Sequence, residues 1–158
     1  VTMLLALRRR QAGREPSTRV LVDGPRSGAG MPEPDWSALP PGCDRWLVLE
    51  AAEALEKEGY SAEVLDLRSL RPLDEQAVYR SVRKTNRCVI VDNDWPMAGY
   101  ASYLGWLVSR NCFDSLDAPV ELVTMEDVPM PYNHAMELAV QPSVEKIMNA
   151  AKRVMYVL

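Results

Sequence analysis

From Asp44 onward, short continuous apolar runs alternate with stretches whose apolar residues recur at helical spacing, and this alternation limits the possible folds more than any other feature. Val48, Ala51, Ala52 and Leu55 fall on one helical face, while Glu50, Glu53 and Lys57 point away and Gly59 supplies a stop. Val64, Leu65 and Leu67 read as a buried strand leading into Arg68-Ser69-Leu70-Arg71-Pro72. Asp74 is placed as an N-cap, with Leu73 and Val78 as a hydrophobic staple, for a helix reaching Lys84.

Cys88-Val89-Ile90-Val91 is too continuously apolar for a half-exposed strand, so it belongs in a sheet covered on both faces. It ends at the loop Asp92-Asn93-Asp94-Trp95-Pro96. Tyr100, Tyr103, Leu104, Leu107 and Val108 repeat at helical spacing, and Val120-Glu121-Leu122-Val123 reads as a further strand. A last helix starts at Ser143 and buries Val144, Ile147, Met148, Ala151 and Met155. The pattern predicts a three-layer α/β/α sandwich with a mostly parallel sheet. Only three strands are clear; Val1 to Leu5 and Val20 to Val22 are the two candidates for the others.

The first 43 residues differ in character. Residues 16 to 42 hold six prolines together with Gly24, Gly28, Gly30 and Gly42, a composition that loses backbone donors and offers little apolar surface. Residues 1–43 are therefore expected to be an atypical loop or linker, and residues 44–158 the domain. With 158 residues and 47% hydrophobic content the chain can bury one sizeable core. A net charge of -4, without a basic face, argues against nucleic acid as a partner. Cys43, Cys88 and Cys112 are odd in number and far apart, which indicates neither a disulfide framework nor a Cys-x-x-Cys site. No apolar run approaches the roughly 18 residues of a membrane-spanning helix, and a soluble protein is expected.

The chemistry-bearing residues are few. Arg68 and Arg71 flank a turn before Asp74, where they can clamp a phosphate or carboxylate or pair with Asp66 and Asp74. His134 is the only histidine, follows Pro131-Tyr132-Asn133 and has no nearby serine or cysteine, so a surface or interface role is expected. Trp95 beside Pro96, and Tyr132 beside Pro131, are rigid loop elements suited to anchoring a partner. Gly24, Gly28 and Gly30 lack a following Gly-Lys-Ser/Thr and read as a loop rather than a phosphate cradle.

The run Val64-Leu65-Asp66-Leu67-Arg68-Ser69-Leu70-Arg71-Pro72-Leu73-Asp74 is similar to the strand-turn-helix of the transketolase C-terminal domain in 2-oxo acid dehydrogenase β subunits. Leu116-Asp117-Ala118-Pro119 and Asp127-Val128-Pro129-Met130-Pro131-Tyr132 resemble the pyruvate-specific branch, and Lys84-Thr85-Asn86-Arg87 and Pro142-Ser143-Val144-Glu145-Lys146-Ile147 fit as well. The likeness runs from about Leu49 to Tyr156. It implies a non-catalytic assembly domain that contacts an α subunit, a second β subunit and the subunit-binding domain of the acyltransferase core. Candidate interface residues are Arg68, Arg71, Asp74, Trp95, Pro96, Pro129, Pro131, Tyr132 and His134.

The resemblance further implies thiamine diphosphate and Mg²⁺ in the full enzyme, held by a domain absent from this sequence. Asp23-Gly24 lacks the preceding glycine and the asparagine pair that such a site needs, and reads as a surface turn. No catalytic, cofactor or metal residue is therefore expected here, and the chain alone should be inactive. Compartments consistent with the family are the bacterial cytoplasm and the mitochondrial matrix.

Two departures stand out. The family's first strand leads by a short turn into the first helix, whereas here residues 7 to 43 intervene if Val1-Thr2-Met3-Leu4-Leu5 is that strand. A missing partner strand would expose a sheet edge. Gly99-Tyr100-Ala101-Ser102-Tyr103 replaces a Gly-Val-Gly-Ala-Glu type helix start, so an acidic residue is gone and a tyrosine stands for a small residue. Residues 3 to 19 carry five arginines and one acid, a pattern shared with mitochondrial presequences and with unrelated sequence. The competing readings are a stand-alone interaction module, a non-functional fragment, and an enzyme of another class using Arg68, Arg71 and His134 at the strand ends.

Overall fold

The computed structural model describes residues 2–9, 19–23 and 44–157. Gly24, Gly28, Gly30, Cys43 and most of the proline-rich segment lie outside the described residues. Five strands form one sheet in the order β2-β3-β1-β4-β5. They are β1 (Met3–Arg9), β2 (Arg19–Asp23), β3 (Tyr60–Leu67), β4 (Cys88–Val91) and β5 (Glu121–Val123). The helices are α1 (Asp44–Lys57), α2 (Glu75–Thr85), α3 (Tyr100–Asn111), α4 (His134–Val140) and α5 (Val144–Val154).

Both candidate segments in the first 43 residues become strands, so the expectation of a loop or linker there is corrected at 3–9 and 19–23. The physical reason for β1 is its continuous apolar run, which only a doubly covered position can bury. It fills the centre of the sheet, running antiparallel to β3 on one side (Leu5 opposite Val64) and to β4 on the other (Leu5 opposite Val89). β2 pairs in parallel with β3, and β4 with β5. Four strands are thus mutually parallel and the central one is reversed.

Side chains alternate strictly between two cores. Met3, Leu5 and Leu7 of β1 join Val64, Val89 and Val91 beneath α1 and α5, against Val48, Ala51, Leu55, Ile147 and Ala151. Leu4 and Ala6 point the other way, with Leu65, Leu67 and Ile90, beneath α2 and α3. The helices α1 and α2 therefore lie on opposite faces, although β2 to β3 and β3 to β4 step in the same direction across the sheet. The two crossovers must have opposite hands, and one of them departs from the strong right-handed preference.

Local signals hold the helices in place. The Asp74 side chain accepts from the Ala77 amide at 3.0 Å, and Leu73 packs against the cluster that contains Val78. Asn86 ends α2 in the left-handed region at φ 67°, and its amide N–H donates to the Val82 carbonyl. Ser143 caps α5 through the Lys146 amide. On α3 the expected apolar stripe is corrected at Tyr103, which is 47% exposed; Ala101, Leu104 and Val108 face the core instead. Tyr103 stacks obliquely between Tyr100 and Trp106 on the flank of the helix.

Cys88 and Cys112 are buried in the α2/α3 core. Burial pushes the Cys88 thiol far above its ordinary range; burial also raises Cys112, with Arg83 acting the other way. Both should resist alkylation at neutral pH until the chain is unfolded in urea, with the sites read by peptide mass. Fast labelling of Cys88 under native conditions would show that this core opens.

Candidate functional site

Two surfaces gather the chemistry-bearing residues. The first is a crevice outside the C-terminal ends of β3 and β4, with a volume near 380 Å³. Behind the lining residues Arg45 and Arg68 lies Asp66, a carboxylate near the end of β3 and 0% exposed. Arg45, in the first turn of α1, and Arg68, just beyond β3, both bring Nε to Asp66 Oδ2, at 3.0 Å and 3.4 Å. The Arg45 contact is an ion pair without hydrogen-bond alignment, and Asp66 Oδ1 has no hydrogen-bond partner among the described residues.

Opposite stand Asp92, Asn93 and Asp94 at the end of β4. Because β1 is reversed, its first end comes to this rim: the Thr2 hydroxyl donates to Asp92 Oδ2 at 2.9 Å and the Thr2 carbonyl accepts from the Leu67 amide. Tyr100 closes one side, its hydroxyl donating to the Leu70 carbonyl at 3.1 Å.

The second surface is built by the 92–96 loop and residues 125–138. Trp95 Nε1 donates to the Val128 carbonyl at 3.0 Å, and the Met125 amide donates to the Asp94 carbonyl, which ties the two loops together. The Pro96 carbonyl accepts from the Ser102 hydroxyl. Asn133 caps α4 through the Ala135 amide. No residue of α4 is buried, and Val128, Met130, Tyr132, Met136 and Leu138 are exposed.

The candidate residues therefore separate. Arg68 lines the crevice, but Arg71 is exposed, with no ion pair among the described residues, and Asp74 serves as a helix cap. Trp95, Pro96, Pro129, Pro131 and Tyr132 belong to the loop surface. His134 is solvent-exposed and lies 3.7 Å from Glu137 on its own helix. Sequence reasoning missed Arg45 and Thr2. A signal for Arg45 existed: a cation in the first turn opposes the helix dipole and needs a specific partner such as Asp66.

Residues 44–147 match the family described as transketolase, C-terminal domain. The chain belongs to that family. This transketolase C-terminal domain is 51% identical over 105 residues to the mitochondrial pyruvate dehydrogenase E1 component subunit beta of Pisum sativum. It is 45% identical over 106 residues to the mitochondrial counterpart from Dictyostelium discoideum, covering 67% of this chain and 30% of that protein. The E1 component subunit beta of Rickettsia bellii is 40% identical over 111 residues, 70% of this chain and 34% of the relative. The chain thus spans about a third of the length of these relatives.

Among solved structures, a split-gene transketolase described as an inactive beta4 tetramer superimposes with a TM-score of 0.55 at 25% identity. It covers 71% of this chain and 35% of that one. The relatives include mitochondrial and bacterial proteins. Among the described residues no helix is long and apolar enough to cross a membrane. No group of three or more His, Cys, Asp or Glu among the described residues is arranged to hold a metal ion.

Proposed function

We propose that the chain is the assembly part of a pyruvate dehydrogenase E1 β-type subunit, supplying contact surfaces rather than reacting groups. The observation that carries this reading is the apolar surface around α4, where Val128, Met130, Tyr132, Met136 and Leu138 stand exposed on a helix and loop with no core role. A surface of this kind is stabilised by covering it with another chain. The likeness to E1 β subunits, and to a transketolase subunit that forms a beta4 tetramer, supports the same role. The partners in this reading are a second β chain, an α subunit and the subunit-binding domain of the acyltransferase core. Thiamine diphosphate and Mg²⁺ sit elsewhere in the full enzyme.

Light scattering of the purified chain is expected to give a mass of at least twice 17.7 kDa. Replacing Tyr132 and Met136 together by Asp should weaken that association by more than about 100-fold, since central interface anchors contribute about 2 kcal/mol or more each. A monomer that also fails to bind the α subunit and the subunit-binding domain would overturn the assignment. So would a double variant that assembles as the parent does.

A further inference from the structure

The crevice at the ends of β3 and β4 has a use that subunit assembly does not account for. Arg45 and Arg68 bring their Nε atoms within 3.0 and 3.4 Å of one oxygen of Asp66, only the second as an aligned hydrogen bond. Two guanidinium groups on one buried carboxylate leave an excess positive charge at that wall. The facing wall carries the opposite sign. Asp94 spends one oxygen on the Trp95 amide at 2.8 Å, and Asn93 beside it is exposed.

A ligand that suits both walls bears a carboxylate at one end and hydrogen-bond donors at the other. A simple anion would meet the acidic wall as well as the basic one, and a simple cation the reverse. The cavity, near 380 Å³, lies at the small end of the range for ligand sites. Its position is also apt, because α1 and α2 leave β3's neighbourhood on opposite faces and open a gap at the carboxyl ends of the parallel strands.

We propose that this crevice binds a small hydroxy or amino acid, with its carboxylate held by Arg45 and Arg68 and its donors facing Asn93 and Asp94. The assignment is independent of how the chain assembles. It also depends on the reversed β1, which sets Thr2 on the rim where it holds Asp92 in place.

The test is titration of the 158-residue chain with L-serine, acetate and inorganic phosphate, by calorimetry and by amide shifts in an NMR spectrum. Serine is expected to saturate, with shifts centred on residues 67–70 and 92–94, and acetate to bind at least about tenfold more weakly. Arg68→Gln should weaken serine binding about tenfold or more while the circular dichroism spectrum stays unchanged. Arg68 is the safer variant, being 36% exposed, because Arg45 would still face Asp66. The proposal is overturned if serine fails to saturate, or if it binds the parent and Arg68→Gln alike. Phosphate binding that depends on Arg68 without serine binding would also overturn it, as the site would then take an inorganic oxyanion only.

Discussion

Deleting residues 1–43 is expected to abolish cooperative folding, even though the family match begins only at residue 44. The deletion removes the middle of the sheet. Met3, Leu4, Leu5 and Leu7 are fully buried, and burying four such side chains contributes roughly 6 to 12 kcal/mol. That is as large as the entire net stability of an ordinary domain, about 5 to 15 kcal/mol. Both β3 and β4 would also lose their central hydrogen-bonding partner. Leu5→Asp in the full chain should do nearly as much harm, since a carboxylate would be buried between Val64 and Val89 without a counter-charge. Urea unfolding followed by tryptophan fluorescence reads both. A 44–158 fragment with a sharp transition near the parent midpoint would show that β1 is dispensable.

Gly99→Ala is expected to cost about 3 kcal/mol. A Cβ at that position would stand 2.1 Å from the Trp95 carbonyl oxygen, a backbone atom that cannot swing aside. The loop carrying Trp95 would have to move, and with it the Trp95–Val128 hydrogen bond that joins the two parts of the proposed assembly surface. Gly105→Ala on the same helix is the matched control. Its Cβ would meet Leu122 Cδ2 at 3.4 Å, an ordinary contact, and helix propensity favours alanine by about 1 kcal/mol. The two variants should shift the urea midpoint in opposite directions with the slope unchanged. Equal behaviour would mean that the 99 position has more room than the structure gives it.

Much of the architecture was legible because local rules and burial agreed. Asp74 had its staple residues on either side, and it does cap α2. The run Cys88 to Val91 was too apolar for anything but a covered strand, and all four residues are buried. The direction of β1 was not legible, for a physical reason: a strand's alternation has period two and reads the same backwards. Its partners, some sixty and ninety residues away, decide the orientation. Tyr103 misled because helical spacing defines a stripe without saying how wide the buried part is. Of the candidate site, the aromatic-proline loops were visible as rigid elements, whereas the crevice was not. Its Arg45–Asp66–Arg68 group is assembled from two elements whose proximity follows only from the sheet order.

The reversed central strand also governs how the chain must reach its native state. The hydrogen bond from Thr2 to Asp92 spans 90 positions in sequence, so the earliest-made part of the sheet waits for one of the latest. At ribosomal speeds of roughly 5 to 20 residues per second, that delay lasts about 4 to 18 seconds. Until β3 is made, Met3 to Leu7 is an apolar ribbon with both edges unpaired, and until β4 follows one edge stays open, the kind of segment that chaperones hold and aggregates recruit. Topology of such high contact order slows folding as well. The yield of folded protein is therefore set by the lifetime of that nascent ribbon as much as by the depth of the final energy minimum.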